Sequence, residues 1–192
     1  MKEDKKEIII KVSQKLFARF GLLKTTVDEI ARLARIGKGT IYHYFTSKEE
    51  IFAEVIDKEA QFLKDKIINA IDGETAPQRK LRAFILTKME CLKNLVNYYS
   101  ALKEEYLEHY SFIEKLRKNN FEEEIRIVMM ILQEGINEAI FEVKNPRLTS
   151  LAIVTALKGL EFSWTFEDSM IEIKKSVDNL LEVLLKGIEK RT

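Results

Sequence analysis

Gly37-Lys38-Gly39-Thr40-Ile41-Tyr42-His43-Tyr44-Phe45 gathers the most versatile chemistry of the chain into nine residues. At the ~100° per residue of a helix, Ile41, Tyr44 and Phe45 fall on one side. Lys38, Gly39, Thr40, Tyr42 and His43 share the other. The first face can anchor in a core. The second offers a cation, a backbone without a side chain, a hydroxyl, a phenol and an imidazole. A nucleic-acid groove would use each of these, to hold phosphate or to read base edges.

Catalytic and metal chemistry finds less support. No carboxylate within a few residues of His43 can orient it as a base, and His109, between Glu108 and Tyr110, reads as solvated. One Cys (Cys91) and two His exclude an internal disulfide and argue against structural zinc. Gly37-Lys38-Gly39-Thr40 is only superficially a phosphate-binding loop. It lacks the earlier Gly, lacks Ser or Thr directly after Lys38, and follows a helix where such loops follow a strand. The acidic run Glu122-Glu123-Glu124 is contiguous, so it sprays around a helix and does not converge on a metal. No enzymatic activity, metal or cofactor is expected.

Helices must position the opening stretch. Among 192 residues, 46% are hydrophobic and only seven are Gly and two Pro, which suits a helical core and leaves little for linkers. The longest apolar run, Ile127 to Leu132, falls far short of a membrane span, and no apolar signal core follows the charged N-terminus. A cytoplasmic protein is expected. Net charge is +1, but residues 1–50 hold 11 Lys and Arg against 7 Asp and Glu, a local excess that points to an anionic partner.

Residues 5–20 carry Ile9, Val12, Leu16 and Phe20 on one stripe, and Gly21 follows as a stop. Thr26 and Glu29 read as a capping box opening a second helix with a narrow apolar stripe, Val27, Ile30, Ala31 and Ala34. A tight turn leads to the opening stretch. Two short helices joined in this way form a helix-turn-helix pattern. Ser47 and Glu50 read as a second capping box, starting a helix that runs to about Ile71. Lys48 lies in its first turn, where a cation opposes the helix dipole, so a phosphate bound there would be held by both the amides and Lys48.

Residues 8 to about 56 resemble the DNA-binding domain of the TetR family of bacterial transcriptional regulators. The resemblance rests on Phe17, Phe20, Gly21, Thr25, Thr26, Ile30-Ala31 with Ala34, Lys38 to Phe45, and Ser47-Lys48-Glu49-Glu50. It covers about a quarter of the chain. Two positions depart from the family pattern: Arg35 stands where the turn usually has Gly, and Gly37 stands where Ser usually opens the recognition helix. Arg35 would be strained by roughly 1 kcal/mol if its φ were positive, whereas Gly37 remains an acceptable N-cap.

The resemblance implies an all-α protein: an N-terminal three-helix domain over residues 3–63, with the helix-turn-helix at 26–45, and a larger C-terminal domain for dimerisation and ligand binding over 77–190. The residues in between, Asp72 to Gln78, contain Gly73 and Pro77 and no large apolar side chain, as a connector should. Helical patterns continue at about 77–96, 98–110, 111–141, 147–167 and 170–190, the third with a possible break near Asn119-Asn120.

The last two helices are the most apolar. Leu157 and Leu160 in the first, and Val177, Leu181, Leu184 and Ile188 in the second, are expected at a homodimer interface, with Gly159 permitting close approach. Met89, Leu92, Tyr98, Tyr99 and Leu102 are expected to line an effector pocket, together with Tyr106, Phe121, Ile125, Met129 and Trp164. Soft and aromatic side chains suit a cavity that adapts to an apolar ligand.

The function expected is a ligand-responsive, DNA-binding repressor released from a palindromic operator by a small apolar effector. Its DNA contacts would come from Thr25, Thr26, Arg35, Lys38, Gly39, Thr40, Tyr42, His43 and Lys48. The rival reading is an all-helical small-molecule-binding protein or enzyme with a vestigial DNA-binding domain.

Overall fold

The computed structural model describes residues 4–91, 95–97, 111–163 and 170–188. Among them are eight helices: α1 (Lys5–Lys24), α2 (Val27–Ala34), α3 (Lys38–Tyr44), α4 (Lys48–Asp72), α5 (Pro77–Cys91), α6 (Ser111–Asn137), α7 (Pro146–Ser163) and α8 (Met170–Ile188). The chain divides into two compact units, Met1–Phe62 with Leu95–Leu116, and Leu63–Asn94 with Arg117–Thr192. The division falls inside α4, ahead of the connector at Asp72 to Gln78.

In the first unit, α1 buries Ile9, Ile10, Leu16, Phe17 and Leu22. Also buried in this unit are Ile30 and Ala31 of α2, Ile41 of α3, Phe45, and Ile51, Phe52, Val55 and Ile56 of α4. The Phe17 and Phe52 rings meet edge to face, with centroids 5.1 Å apart. Phe20, expected on the buried stripe, is exposed. Gly21, at φ 76, turns the chain out of helical geometry directly after it, which rotates Leu22 inward in its place. The unit also buries a polar cluster. Glu59 accepts from Gln14 Nε2 at 2.9 Å and from Asn97 Nδ2 at 2.8 Å.

In the second unit, Leu81, Phe84, Ile85 and Met89 of α5 are buried, as are Ile125, Val128 and Leu132 of α6, Ile153, Val154 and Leu157 of α7, and Ile173, Val177 and Leu181 of α8. Pro77 occupies the first position of α5, where its missing N–H costs nothing. Asn145 caps α7 by accepting from the Leu148 N–H. α6 runs without interruption through Asn119-Asn120 but ends at Asn137, short of the expected 141. Ala139 adopts φ 57, and the Ile140 and Phe141 N–H groups both return to the Gly135 carbonyl. This fold-back lays the Phe141 ring on Gly135, where a Cβ would stand 2.2 Å from Phe141 Cδ2.

Leu157, Val177 and Leu181, expected at a subunit interface, are instead buried inside the unit. The apolar stripe that periodicity picks out is therefore the inward face of α7 and α8. Leu184 and Ile188 are half-buried, and the side chain of Leu160 lies outside the described residues. The outward face of α7 carries Leu148, Leu151, Ala152, Thr155, Ala156 and Gly159, and α8 exposes Ile171 and Val183.

Of the expected pocket residues, Met89 and Ile125 are buried and Phe121 and Met129 half-buried. The Lys158 ammonium stands 4.3 Å from the centroid of the Phe121 ring. Leu92, Tyr98, Tyr99, Leu102, Tyr106 and Trp164 lie outside the described residues, as does the expected helix at 98–110. One feature of this unit has no counterpart in an apolar pattern: Lys88 and Glu124 form a buried ion pair at 2.6 Å between α5 and α6.

Candidate nucleic-acid interface

The end of α1 fixes where α2 and α4 begin. Helix C-termini leave carbonyls without intrahelical partners. Here side chains satisfy them. Thr25 Oγ1 donates to the Gly21 carbonyl at 2.8 Å. Lys48 Nζ donates to the carbonyls of Leu22 at 2.9 Å, Leu23 at 3.3 Å and Thr25 at 3.2 Å. All three ammonium donors are thereby used. Thr25 is buried. Both residues, expected to clamp phosphate, instead join the start of α4 to the α1–α2 junction. The Lys48 bonds are invisible to a local pattern, because their acceptors lie more than twenty residues earlier in the sequence.

α2 begins with the expected capping box. Thr26 Oγ1 accepts from the Glu29 N–H at 3.3 Å, and Glu29 Oε2 accepts from the Thr26 N–H at 2.9 Å. These bonds, the backbone one first, hold the Glu29 carboxyl below the usual carboxylate range. Thr26 is exposed, but its hydroxyl is already engaged with Glu29. The box at the start of α4 is shifted by one residue. Ser47 Oγ accepts from the Glu50 N–H, whereas the Glu50 carboxylate reaches back to the N–H of Thr46 rather than that of Ser47.

Between α2 and α3, Arg35 adopts φ 55 and ψ 41, the left-handed conformation that favours glycine. Its N–H bonds to Ala31 and Arg32 carbonyls, and the Ile36 N–H returns to Ala31 at 3.1 Å. The turn thus keeps its geometry despite the substitution, and the Arg35 side chain is exposed.

Gly37 is the N-cap of α3, in extended conformation and with no side-chain cap bond. Ile41 and Phe45 are buried and Tyr44 is half-buried, so the apolar side of the helix is seated in the unit. On the opposite side Lys38, Gly39, Tyr42 and His43 are exposed and Thr40 is half-buried. Tyr42 leaves 49% of its surface to solvent. His43 meets Tyr44 edge to face, with centroids 5.2 Å apart. A Cβ on Gly39 would meet nothing within 4 Å, so glycine leaves a gap in this face that packing does not require.

Lys38 is not a bare cation. Its Nζ lies 2.9 Å from Asp28 Oδ2, on the first turn of α2. That hydrogen bond raises the lysine above its ordinary range. Periodicity and capping patterns do not single out Asp28, because it stands ten residues before Lys38. Its only local signal is a second carboxylate in a first turn that Glu29 already serves.

Arg35, Lys38, Gly39, Tyr42 and His43 thus lie exposed on consecutive elements, with Thr26 exposed at the start of α2, while Thr25 and Lys48 serve the interior. Among the described residues no group of three or more His, Cys, Asp or Glu could hold a metal ion, and no helix is long and apolar enough to cross a membrane.

Residues 9–55 match the family described as bacterial regulatory proteins, tetR family. The chain is similar over 98% of both lengths to the uncharacterized HTH-type transcriptional regulator YhgD of Bacillus subtilis, at 24% identity. It is 29% identical to the HTH-type transcriptional repressor KstR2 of Mycolicibacterium smegmatis, over 71% of this chain and 67% of that one. The crystal structure of a transcriptional regulator from Cytophaga hutchinsonii superposes with a TM-score of 0.81 at 26% identity, over 96% of this chain and 98% of the other. An exposed, polar α3 seated on the first unit fits that match, and residues 9–55 form a helix-turn-helix domain similar to those of the tetR family of bacterial regulatory proteins.

Proposed function

We propose that this protein is a homodimeric repressor that seats α3 in the major groove of a palindromic operator and leaves it when a small apolar effector binds the C-terminal part. The observation that carries the reading is the two-sidedness of α3. Ile41 and Phe45 are buried while Lys38, Gly39, Tyr42 and His43 face solvent. A helix anchored in this way can present base-reading groups without exposing core. Tyr42 and His43 would reach base edges, Gly39 would let the backbone approach, and Thr40, Thr26 and Arg35 would meet phosphate. Thr25 and Lys48 would act indirectly, by fixing the junction that orients α2 and α3. The naming of KstR2 as a repressor supports the direction of control.

The DNA-binding domain would span residues 3–63 and the effector and dimer domain 77–190. Two-fold pairing would use the outward face of α7, where Leu151, Ala152, Ala156 and Gly159 leave an apolar stripe exposed, together with exposed Val183 and half-buried Leu184 of α8. Phe121 and Met129, only half-buried, would meet the effector beside Met89 and Ile125. An effector controls binding only through the difference in its affinity for the DNA-competent and incompetent states.

The test is selection of duplexes from a random pool, followed by binding of the recovered sequence to variants. A palindrome with half-sites one or more helical turns apart is expected. Tyr42→Ala should lose binding to it with an unchanged melting temperature and molecular mass. Full affinity in that variant would remove α3 from the groove. Val183→Glu should give folded monomers, whereas Leu181→Glu should unfold the protein; a dimeric Val183→Glu would place the interface elsewhere.

A further inference from the structure

The carboxylate of Asp28 is the one anionic group bonded to the polar side of α3 among the described residues, and the fold gives it little to do. The N-terminus of α2 is already closed by Thr26 and Glu29. Asp28 and Lys38 are both exposed, and an exposed ion pair contributes little to stability. Against DNA, however, a carboxylate beside a cation is a liability, because it repels the phosphate that the cation would otherwise attract.

We propose that Asp28 is a specificity-determining residue: by pairing with Lys38 it steers that ammonium away from phosphate and toward the two acceptors of a guanine edge. The inference rests on the placement of α3 in the major groove. The Lys38–Asp28 pair is electrically neutral. An ammonium has three N–H donors. One can stay on Asp28 Oδ2 while the others reach the O6 and N7 atoms of guanine, which are uncharged acceptors. A phosphate taking the same place brings a second anion onto an ammonium that Asp28 already neutralises. Random DNA, where phosphate is the only universal acceptor, is therefore penalised more than a matched base. Removing the carboxylate frees a full positive charge for non-specific attraction.

The experiment measures binding of the selected duplex, of a random duplex, and of the selected duplex with each guanine of a half-site replaced in turn, across a salt series. For Asp28→Asn, random-duplex affinity should rise about tenfold, selected-duplex affinity should change much less, and the salt slope on random DNA should steepen by about one phosphate contact. One guanine replacement should cost the native protein at least tenfold and Asp28→Asn distinctly less. Adding Lys38→Met to Asp28→Asn should cancel the gain on random DNA, because the freed charge is then absent. Equal shifts on both duplexes, or an unchanged slope, would overturn the inference. If Tyr42→Ala keeps full selected-duplex affinity, the groove placement of α3 falls and the inference with it; if Tyr42→Ala loses binding but Lys38→Met keeps it, the placement stands and the inference alone falls. If Lys38→Met weakens binding while Asp28→Asn behaves as native protein, only the role of Asp28 is lost.

Discussion

Lys48, the first residue of α4, donates from its ammonium to the Leu22 carbonyl at 2.9 Å, and so ties that helix to the last turn of α1. The same nitrogen serves Leu23 and Thr25. A charged side chain placed where helix carbonyls lack partners is favourable twice over, through the hydrogen bonds and through the negative end of the helix dipole. Lys48→Met should therefore lower the stability of the DNA-binding unit by about 1–2 kcal/mol, since hydrogen bonds to charged groups are worth about 1.5–3 kcal/mol and this one is part-exposed. Operator affinity should fall by a similar factor at low and high salt. A salt titration separates this from a phosphate contact, whose loss would reduce the slope by about one.

Arg35 is held at φ 55, where a Cβ crowds the backbone. Arg35→Gly should stabilise the protein by about 0.5–1 kcal/mol, the relief of left-handed strain exceeding the extra chain entropy of glycine. Urea unfolding measures the gain. The same variant should bind DNA more weakly if the exposed guanidinium meets phosphate, so stability and affinity are expected to move in opposite directions.

The Lys88–Glu124 pair is buried on both sides, with 1% of the lysine side chain exposed. Lys88→Met leaves a carboxylate in the interior and should cost about 3–5 kcal/mol. Lys88→Met with Glu124→Leu removes both charges and should recover most of that loss, since buried pairs replaced by apolar residues are often neutral or stabilising. Denaturant midpoints of the two variants test the contrast. A double variant as unstable as the single one would show that the shape of the site, and not its charge, is what the core requires.

Glu29 is held below its ordinary value of 4.5 by the Thr26 N–H and hydroxyl. A depressed carboxyl contributes stability that is fully present above its unfolded value and is lost as pH falls through the folded one. The melting temperatures of native protein and Glu29→Gln should differ at pH 7 and converge as pH drops below about 4.5. A difference independent of pH would mean that the glutamate acts through packing alone.

What could be read from residue types alone was local. The capping box at Thr26 and Glu29, the stop at Gly21, Pro77 opening α5 and the two faces of α3 each depend on contacts within about one helical turn. The places where reading one element at a time fell short share a different cause. Lys48 and Asp28 carry the side chains a DNA surface would use, but their partners, Leu22 and Lys38, are set by how α1, α2, α3 and α4 pack. A polar side chain near DNA-facing residues has no fixed role until its neighbours are known, because an engaged donor is unavailable to phosphate. The same holds for Leu157, Val177 and Leu181. Periodicity found their stripe, yet a period carries no information about which body covers it. Only tertiary packing turned that stripe inward and left Leu151, Ala156 and Val183 on the outside, because an apolar side chain leaves water only where a neighbouring element covers it, and Leu and Val stand on both faces.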